Sequence, residues 1–154
     1  GLIYKDFYTD HCVTIGLGEL SSEEMRLINT AKLCIDEAVK EAIVGNYTGD
    51  IGYVMENISN LGGFNFVTSY CGHGIGHSLH ESPEVLSWGD RGTGTKLQEG
   101  MLLCIENQLT LGSANLRLQP DGWTLKSTDG SKGAMFEHMV LVGKDKPEIL
   151  TILD

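Results

Sequence analysis

A glycine- and histidine-rich stretch, residues 70–83, limits the fold most strongly, because no helix can run through it. Three of the five histidines, His73, His77 and His80, fall within eight positions, and glycines lie among them. Glycine adopts backbone conformations that other residues reach only at a cost, and Pro83 stops a helix soon afterwards. This pattern predicts a loop that presents imidazoles to a ligand or metal ion. The alternative is a surface loop whose histidines have no function.

Length and charge limit the class of protein. At 154 residues the chain suits one domain with a sizeable core. The formal net charge of −10 argues against a nucleic-acid partner, which needs a basic face. No apolar run reaches membrane length, so we expect no membrane partner either. The four cysteines are scattered without a CxxC pair, which predicts reduced thiols in a cytoplasmic protein.

Two amphipathic helices are predicted in the first half of the chain. Ser21 and Glu24 have the spacing of a capping box, and Thr48 is expected to cap the second helix, which ends at the glycines 62–63. The first apolar stripe contains Met25, Ile28, Leu33, Ile35, Ala38, Val39, Ala42 and Ile43, and the second contains Ile51, Val54, Met55, Ile58 and Leu61. Both stripes are predicted to face the core.

The remaining segments predict short strands. Residues 2–4 and 12–17 are expected to form a hairpin, with Asp10 near the start of its second strand. Residues 123–127 and 134–142 are expected to pair through a turn at 129–130, and residues 149–153 to close the sheet. Two helices and about seven strands give an α+β domain.

Two glutamates stand where apolar residues are expected. Glu106 ends a run of five apolar residues, and Glu137 interrupts the apolar segment 134–142. A buried, unpaired carboxylate is costly, so each needs a cation or hydrogen-bond donors, and an ion pair could satisfy either one alone. With His73 and Asp10, the two glutamates make a suitable ligand set for Mn, Co, Fe, Zn or Ni. A nucleophilic Cys71 is the weaker alternative, because no orienting third group is evident.

The motifs around these residues resemble type I methionine aminopeptidase, a branch of the pita-bread metallopeptidases. The matching segments, in chain order, are residues 70–83, 97–106, 121–124, 128–138 and 150–151. The Asp-Gly-Trp-Thr segment at 121–124 is closer to the methionine enzyme than to the related Xaa-Pro peptidases. The resemblance covers essentially the whole chain. It implies a single catalytic-type domain, residues 1–154, that corresponds to the C-terminal part of the pita-bread (creatinase/aminopeptidase) fold and lacks the N-terminal half.

The resemblance implies a centre for two divalent metal ions. Carried over by motif, the ligands in this chain are His73, Glu106 and Glu137, with Asp10 as the second aspartate of the family. The first aspartate is expected before Gly1, so the resemblance implies one complete metal site here. The identity of the metal among Co, Mn, Fe, Zn and Ni stays open.

The resemblance also implies roles in substrate binding and catalysis. His80 matches a histidine that contacts the substrate near the scissile bond, and Glu106 matches the ligand that acts as general base. Trp123 matches a wall of the methionine pocket, and Leu79 stands where phenylalanine is common. Cys104 departs from the family pattern, in which threonine is usual.

The implied function is removal of N-terminal methionine from nascent peptides by metal-activated water, impaired by the missing aspartate and N-terminal half. One alternative is a non-catalytic pita-bread module that binds peptide or protein, and another is an Xaa-Pro peptidase. The expected partner is a nascent-chain N-terminus. An exposed apolar face is also expected, which favours self-association or a complementary N-terminal fragment.

Overall fold

The computed structural model describes residues 1–152, which form two α-helices and ten short strands. The helices are α1 (Ser22–Ala38), followed by one 3-10 turn at Val39–Glu41, and α2 (Thr48–Gly62). The strands are β1 (Leu2–Tyr4), β2 (Phe7–Thr9), β3 (Asn65–Phe66), β4 (Gly72–Gly74), β5 (Glu81–Val85), β6 (Leu102–Thr110), β7 (Leu116–Leu118), β8 (Leu125–Ser127), β9 (Gly133–Leu141) and β10 (Glu148–Ile149). The predicted α+β class is confirmed.

An antiparallel sheet of six strands forms the centre of the fold. Its order is β10-β9-β6-β4-β5, and β3 pairs with the far end of β6. The pair β6–β9 is the longest, with nine residues from each strand in continuous register, from Leu102 opposite Leu141 to Thr110 opposite Gly133. β1–β2 and β7–β8 form two separate hairpins. The two long strands therefore fix the positions of everything attached to the sheet.

The two faces of the sheet have different chemistry because side chains alternate along a strand. Leu103, Ile105 and Leu109 of β6 join Phe136 and Val140 of β9 in the main core, where α1 and α2 pack. Cys104, Glu106, Glu137 and Met139 alternate with these residues and belong to the opposite face. One face is thus the hydrophobic core, and the other holds the candidate site.

The first helix begins as predicted. The Ser21 hydroxyl accepts from the Glu24 N–H, and the Glu24 carboxylate accepts from the Ser21 N–H, so the capping box is confirmed. The buried positions of α1 are Leu27, Ala31, Cys34, Ile35 and Ala38. The predicted stripe was wrong at Met25 and Leu33, which are 44% and 46% exposed. Small residues at 31, 34 and 38 form much of the buried face of α1. In the sequence, small residues mark a buried face less clearly than the large apolar residues that turned out to be exposed.

The N-cap of the second helix lies one residue before the predicted one. Tyr47 is the N-cap, and its N–H donates to the Asp50 carboxylate at 2.7 Å. Thr48 is the first helical residue, and its hydroxyl accepts from the Thr95 N–H at 3.1 Å. The left-handed Gly63 (φ 75°) ends the helix as expected.

The N-terminal hairpin is shorter than predicted. Lys5 and Asp6 both have positive φ and form a tight turn that pairs β1 with β2 instead of with residues 12–17. Val13, Ile15 and Leu17 are 54%, 71% and 81% exposed. Their apolar alternation suggested a strand, but only Cys12 forms a bridge, to Glu137.

The second predicted hairpin was also wrong. β8 pairs with β7 and not with β9, and Asp129 holds the loop after it. The Asp129 carboxylate accepts from the Ser127 hydroxyl at 2.6 Å and from the backbone N–H groups of Ser113 and Ser131 at 2.7 and 3.0 Å. These bonds direct the chain back to residue 113. At the end of the sheet only Glu148–Ile149 is a strand, and Leu153 of the predicted closing strand lies outside the described residues.

Within residues 1–152, neither helix is both long and apolar enough to be a membrane-spanning segment. The four cysteines are free, as predicted.

Gly52 provides a test of the packing between α2 and the segment after β5. A Cβ at this buried position would lie 2.7 Å from the Leu86 carbonyl oxygen and closer still to that of Trp88. Although alanine favours a helix over glycine by about 1 kcal/mol, we expect Gly52→Ala to lower the free energy of unfolding by roughly 1–3 kcal/mol. Urea denaturation measures this. Asn60→Ala at an exposed position of α2 is the matched control, and a Gly52→Ala variant as stable as it would contradict the close contact.

Candidate metal centre

The sheet register brings the proposed ligands to one face. His73 of β4 lies opposite Cys104 of β6, and Glu106 of β6 lies opposite Glu137 of β9. Asp10 directly follows β2, and the next turn of chain is held by reciprocal backbone bonds between Cys12 and Glu137, at 2.9 and 3.4 Å. All the predicted ligands therefore reach the same region, although they come from four separate segments.

Two of these residues lie in different structural contexts from those predicted. His73 is in strand β4 and not in a loop, because the glycines at 72 and 74 let the strand approach its neighbours closely. Glu106 lies in the middle of β6 and not at its end. Strand pairing therefore fixes the backbone of both residues, with His73 paired on two sides, to β5 and β6, and Glu106 paired to β9.

The hydrogen bonding of His73 leaves one ring nitrogen free. Its Nδ1 lies 2.9 Å from the Gly74 carbonyl oxygen. A carbonyl oxygen can only accept, so Nδ1 carries the proton, and Nε2 of the neutral ring keeps its lone pair. Burial lowers the pKa of His73, which favours this neutral form. The ring of His80 packs edge-on against that of His73, with centroids 4.4 Å apart.

Three buried donor atoms lie very close together. A ligand atom from each of His73, Cys104 and Glu137 lies within 4.8 Å of the other two. Cys104 was missing from the predicted ligand set because a cysteine in an apolar run resembles a core residue. Its signal was its position two residues before Glu106, which places both on one face of the strand.

The electrostatics of the cluster disfavour two charged carboxylates. Burial, and then the negative charges of Glu106 and Asp10, raise the pKa of Glu137 to about 8. Burial raises the pKa of Glu106 to about 7, with Asp10 adding to the effect and a hydrogen bond from Gln108 opposing it. Over the described part of the chain, no lysine or arginine forms an ion pair with either glutamate.

The donor set fits a divalent cation. Glu137 is only 3% exposed, and its Oε1 has no hydrogen-bond partner among the described residues. A buried carboxylate oxygen without a donor is expensive, and a cation satisfies it. Imidazole nitrogen, carboxylate oxygen and thiol sulfur are also the donors that first-row divalent metals bind. The residues present are therefore compatible with a metal ion.

An open cavity of about 930 Å³ gives access to this cluster. Among the residues that line it are Asp10, His73, His80, Glu106 and Glu137, and it continues towards β8 past Leu116 and Leu125. The cavity thus combines a charged end at the sheet with a partly apolar extension, a combination that is common in ligand-binding sites.

The two remaining predicted site residues, Leu79 and Trp123, do not line the cavity. Leu79 is half-buried and packs against the small cluster of Ile75, Cys104 and Met139. Trp123 is 87% exposed in the turn between β7 and β8, where the Asp121 carboxylate accepts its backbone N–H at 3.0 Å. Neither side chain lines the cavity, so their contact with substrate stays a prediction.

The sequence pattern of metallopeptidase family M24 matches residues 1–144. The chain belongs to metallopeptidase family M24. Its structure is the corresponding portion of the pita-bread fold of its relatives. The M24 assignment confirms the resemblance found in the sequence and accounts for the convergence of imidazole and carboxylate groups on one sheet face.

Three relatives define the extent of the M24 similarity. A methionine aminopeptidase of Clostridium acetobutylicum is 36% identical over 154 residues, all of this chain and 62% of that protein. The crystal structure of a methionine aminopeptidase from Thermotoga maritima has a TM-score of 0.95 at 34% identity and covers 98% of this chain and 61% of that one. A prolidase from Pyrococcus furiosus, 20% identical with a TM-score of 0.77, shares the fold. The chain spans about three fifths of the length of these aminopeptidases.

Divalent metal should stabilise the folded M24 chain. We expect Mn²⁺ or Co²⁺ to raise the melting temperature in thermal-shift measurements, and Glu137→Gln to remove most of that increase by removing an anionic ligand. The metal-free variant should be at least as stable as the wild type near pH 8, because an amide replaces a buried carboxylate. Glu99→Gln, at an exposed position, is the matched control. A metal-induced increase in melting temperature that is as large in Glu137→Gln as in the wild type would contradict a role for Glu137 as a metal ligand.

The same shift should depend on pH. A cation binds deprotonated carboxylates, so protons compete with it below the raised pKa values of about 7 for Glu106 and about 8 for Glu137. The metal-induced increase in melting temperature should therefore grow as the pH rises from about 6 to about 8. Calorimetry in buffers of different ionisation enthalpy measures the protons released. A shift that is constant over this range would be inconsistent with these raised pKa values.

Proposed function

We propose that the chain is the metal-binding portion of a metal-dependent aminopeptidase that removes N-terminal methionine from peptides. The observation that carries the proposal is the buried cluster of His73, Glu106 and Glu137 beside an open cavity. The unpartnered Oε1 of Glu137 requires a cation or a donor at that place. Identities of 31–36% to proteins named methionine aminopeptidase support the choice of reaction.

In this proposal Asp10, His73, Glu106 and Glu137 hold the metal. His73 offers Nε2, because Nδ1 donates to the Gly74 carbonyl. A bound divalent metal supplies Lewis-acid polarisation of a carbonyl and a water that ionises near neutral pH. The proposal does not specify the number of metal ions or choose among Co, Mn, Fe, Zn and Ni; metal-binding measurements decide both.

Glu106 would accept and return the proton. Burial raises its pKa to about 7, which suits proton transfer near neutral pH. The side chain of Gln108 opposes this rise in pKa and favours the charged form of Glu106. These opposing effects leave the pKa of Glu106 near neutral pH, where the carboxyl group can both accept and release a proton.

His80 would contact the peptide at the scissile bond. It is exposed at the cavity, and its ring packs against that of His73, so its position follows the metal ligand. An imidazole N–H there can donate to the oxygen that gains negative charge as the carbonyl is attacked. The same group can hold the substrate amide before the reaction.

The partly apolar extension of the cavity would bind the methionine side chain. Leu116 and Leu125 lie along it, and Leu79 and Trp123 would close it when a peptide is bound. The proposed partner is a nascent-chain N-terminus. Exposed Leu2, Ile3 and Phe7 support self-association or a complementary N-terminal segment that covers them.

A peptide assay tests the proposal. The chain would be incubated with Met-Ala-Ser, and with a Met-Pro dipeptide that reports Xaa-Pro activity. We expect metal-dependent methionine release from the tripeptide, abolished by a chelator. His80→Ala should lower kcat by about 10²–10³ because it removes a transition-state donor. Glu106→Gln should remove activity through loss of both a ligand and the proton acceptor.

His77→Ala is the matched control for His80→Ala, because His77 is an exposed histidine of the same segment that does not line the cavity. Its activity should equal that of the wild type. Cleavage of Met-Pro in preference to Met-Ala-Ser would favour an Xaa-Pro peptidase. Peptide binding without hydrolysis, with no metal bound, would favour a non-catalytic module.

A further inference from the structure

We propose that Cys104 supplies its sulfur to the metal centre, so that His73, Cys104 and Glu137 form a nitrogen–sulfur–oxygen site selective for thiophilic divalent cations such as Zn²⁺ and Cd²⁺. The inference rests on the proposed function only in placing a metal ion at this cluster. It goes further in naming a sulfur ligand and the class of metal that the ligand selects.

The first argument is distance. His73 and Cys104 are directly opposite each other in the β4–β6 pair, and their side chains project from one face. The candidate ligand atoms of His73, Cys104 and Glu137 all lie within 4.8 Å of one another. Ligand atoms in a tetrahedral zinc site lie at about 2.0–2.3 Å from the metal. Donors separated in this way can therefore surround one ion with small side-chain movements.

The second argument is the unsatisfied oxygen. Glu137 is 3% exposed, and its Oε1 has no hydrogen-bond partner among the described residues. The Cys104 sulfur lies in the same three-donor cluster as this carboxylate, but a thiol is a weak donor. A cation between the sulfur and the oxygen would satisfy both groups. This buried oxygen is independent evidence for a ligand beside Cys104.

The third argument is that no other thiol has this environment among the described residues. Cys34 lies in the helical core, with its Sγ 3.5 Å from the Met55 carbonyl oxygen. Cys12 lines the cavity, but its Sγ lies 4.0 Å from the Met135 carbonyl oxygen and is not part of the three-donor cluster. Cys71 is half-buried and outside the cluster. Cys104 is the cysteine that the fold places beside the His73 imidazole and the Glu137 carboxylate.

The Cys104 side chain lies in an apolar shell. Cys104 has no exposed surface, and Ile75 and Met139 pack around it, with Leu79 and Leu102 at the edge. Such an apolar shell excludes water and controls the dielectric around a metal site. On binding, the sulfur–metal bond replaces the S–H bond, and the proton passes to solvent. Thiolate sulfur selects Zn²⁺ and related soft cations over Mn²⁺.

Cobalt spectroscopy tests the sulfur ligand directly. Co²⁺ bound by thiolate shows sulfur-to-metal charge-transfer absorption in the near ultraviolet, whereas oxygen and nitrogen ligands do not produce it. We expect this band when Co²⁺ is added to the metal-free protein. It should persist in Cys12→Ser and Cys34→Ser, the matched thiol controls, and disappear in Cys104→Ser. The wild-type and Cys12→Ser spectra are informative even when Cys104→Ser does not fold.

Competition experiments test the selectivity. Cys104→Ser should weaken Cd²⁺ and Zn²⁺ binding by about tenfold or more relative to its effect on Mn²⁺ binding, because a hydroxyl replaces a soft ligand. Co²⁺ binding without the charge-transfer band would overturn the sulfur ligand and leave the proposed aminopeptidase function intact. A band that disappears in Cys12→Ser would assign the sulfur to Cys12 and overturn the proposal. Absence of any divalent metal binding would overturn both proposals.

Discussion

The continuous antiparallel register of β6 and β9 is the constraint on which the other features depend. Nine residue pairs define it, and Glu106 opposite Glu137 is near its centre. Strand side chains alternate between faces, so the same register that buries Ile105 under α1 must bring the two glutamates together on the other face. A slip of one residue in either strand would turn the glutamate of that strand towards the hydrophobic core. Burial of the apolar face therefore holds the charged site in place.

The site is held together against its own electrostatics. Burial, and after it repulsion from neighbouring carboxylates, raises the pKa values of Glu106 and Glu137, which records the cost of keeping these groups charged in place. The core contacts on the other face must offset it in the metal-free protein, since like charges in a buried position are destabilising. Metal binding would convert the same repulsion into affinity. The protein thus has a locally unfavourable arrangement that a divalent cation can relieve.

Some of these features could be predicted from the sequence, and others required the fold. The capping box at Ser21 and the polar residues in apolar segments carry their signals locally. The position of Glu106 in the middle of β6 has no such local signal, because the polar Asn107 after it suggests that the strand ends there. In the structure Asn107 is buried and its amide donates to the Ala31 carbonyl at 2.7 Å, so the strand continues. The position of Cys104 beside His73 was not predicted for a related reason, because the sequence of one strand does not say which residue of the next strand lies opposite.

The reciprocal backbone bonds between Cys12 and Glu137 have a kinetic consequence. His11 also donates to the Glu137 carbonyl, at 2.5 Å and across 126 residues of chain. Contacts this distant in sequence are entropically expensive to close and form only when intervening structure is in place. We therefore expect the segment that carries Asp10 to dock after β6 and β9 have paired. A cation that needs Asp10 as well as the two glutamates would then bind to a sheet that is already formed.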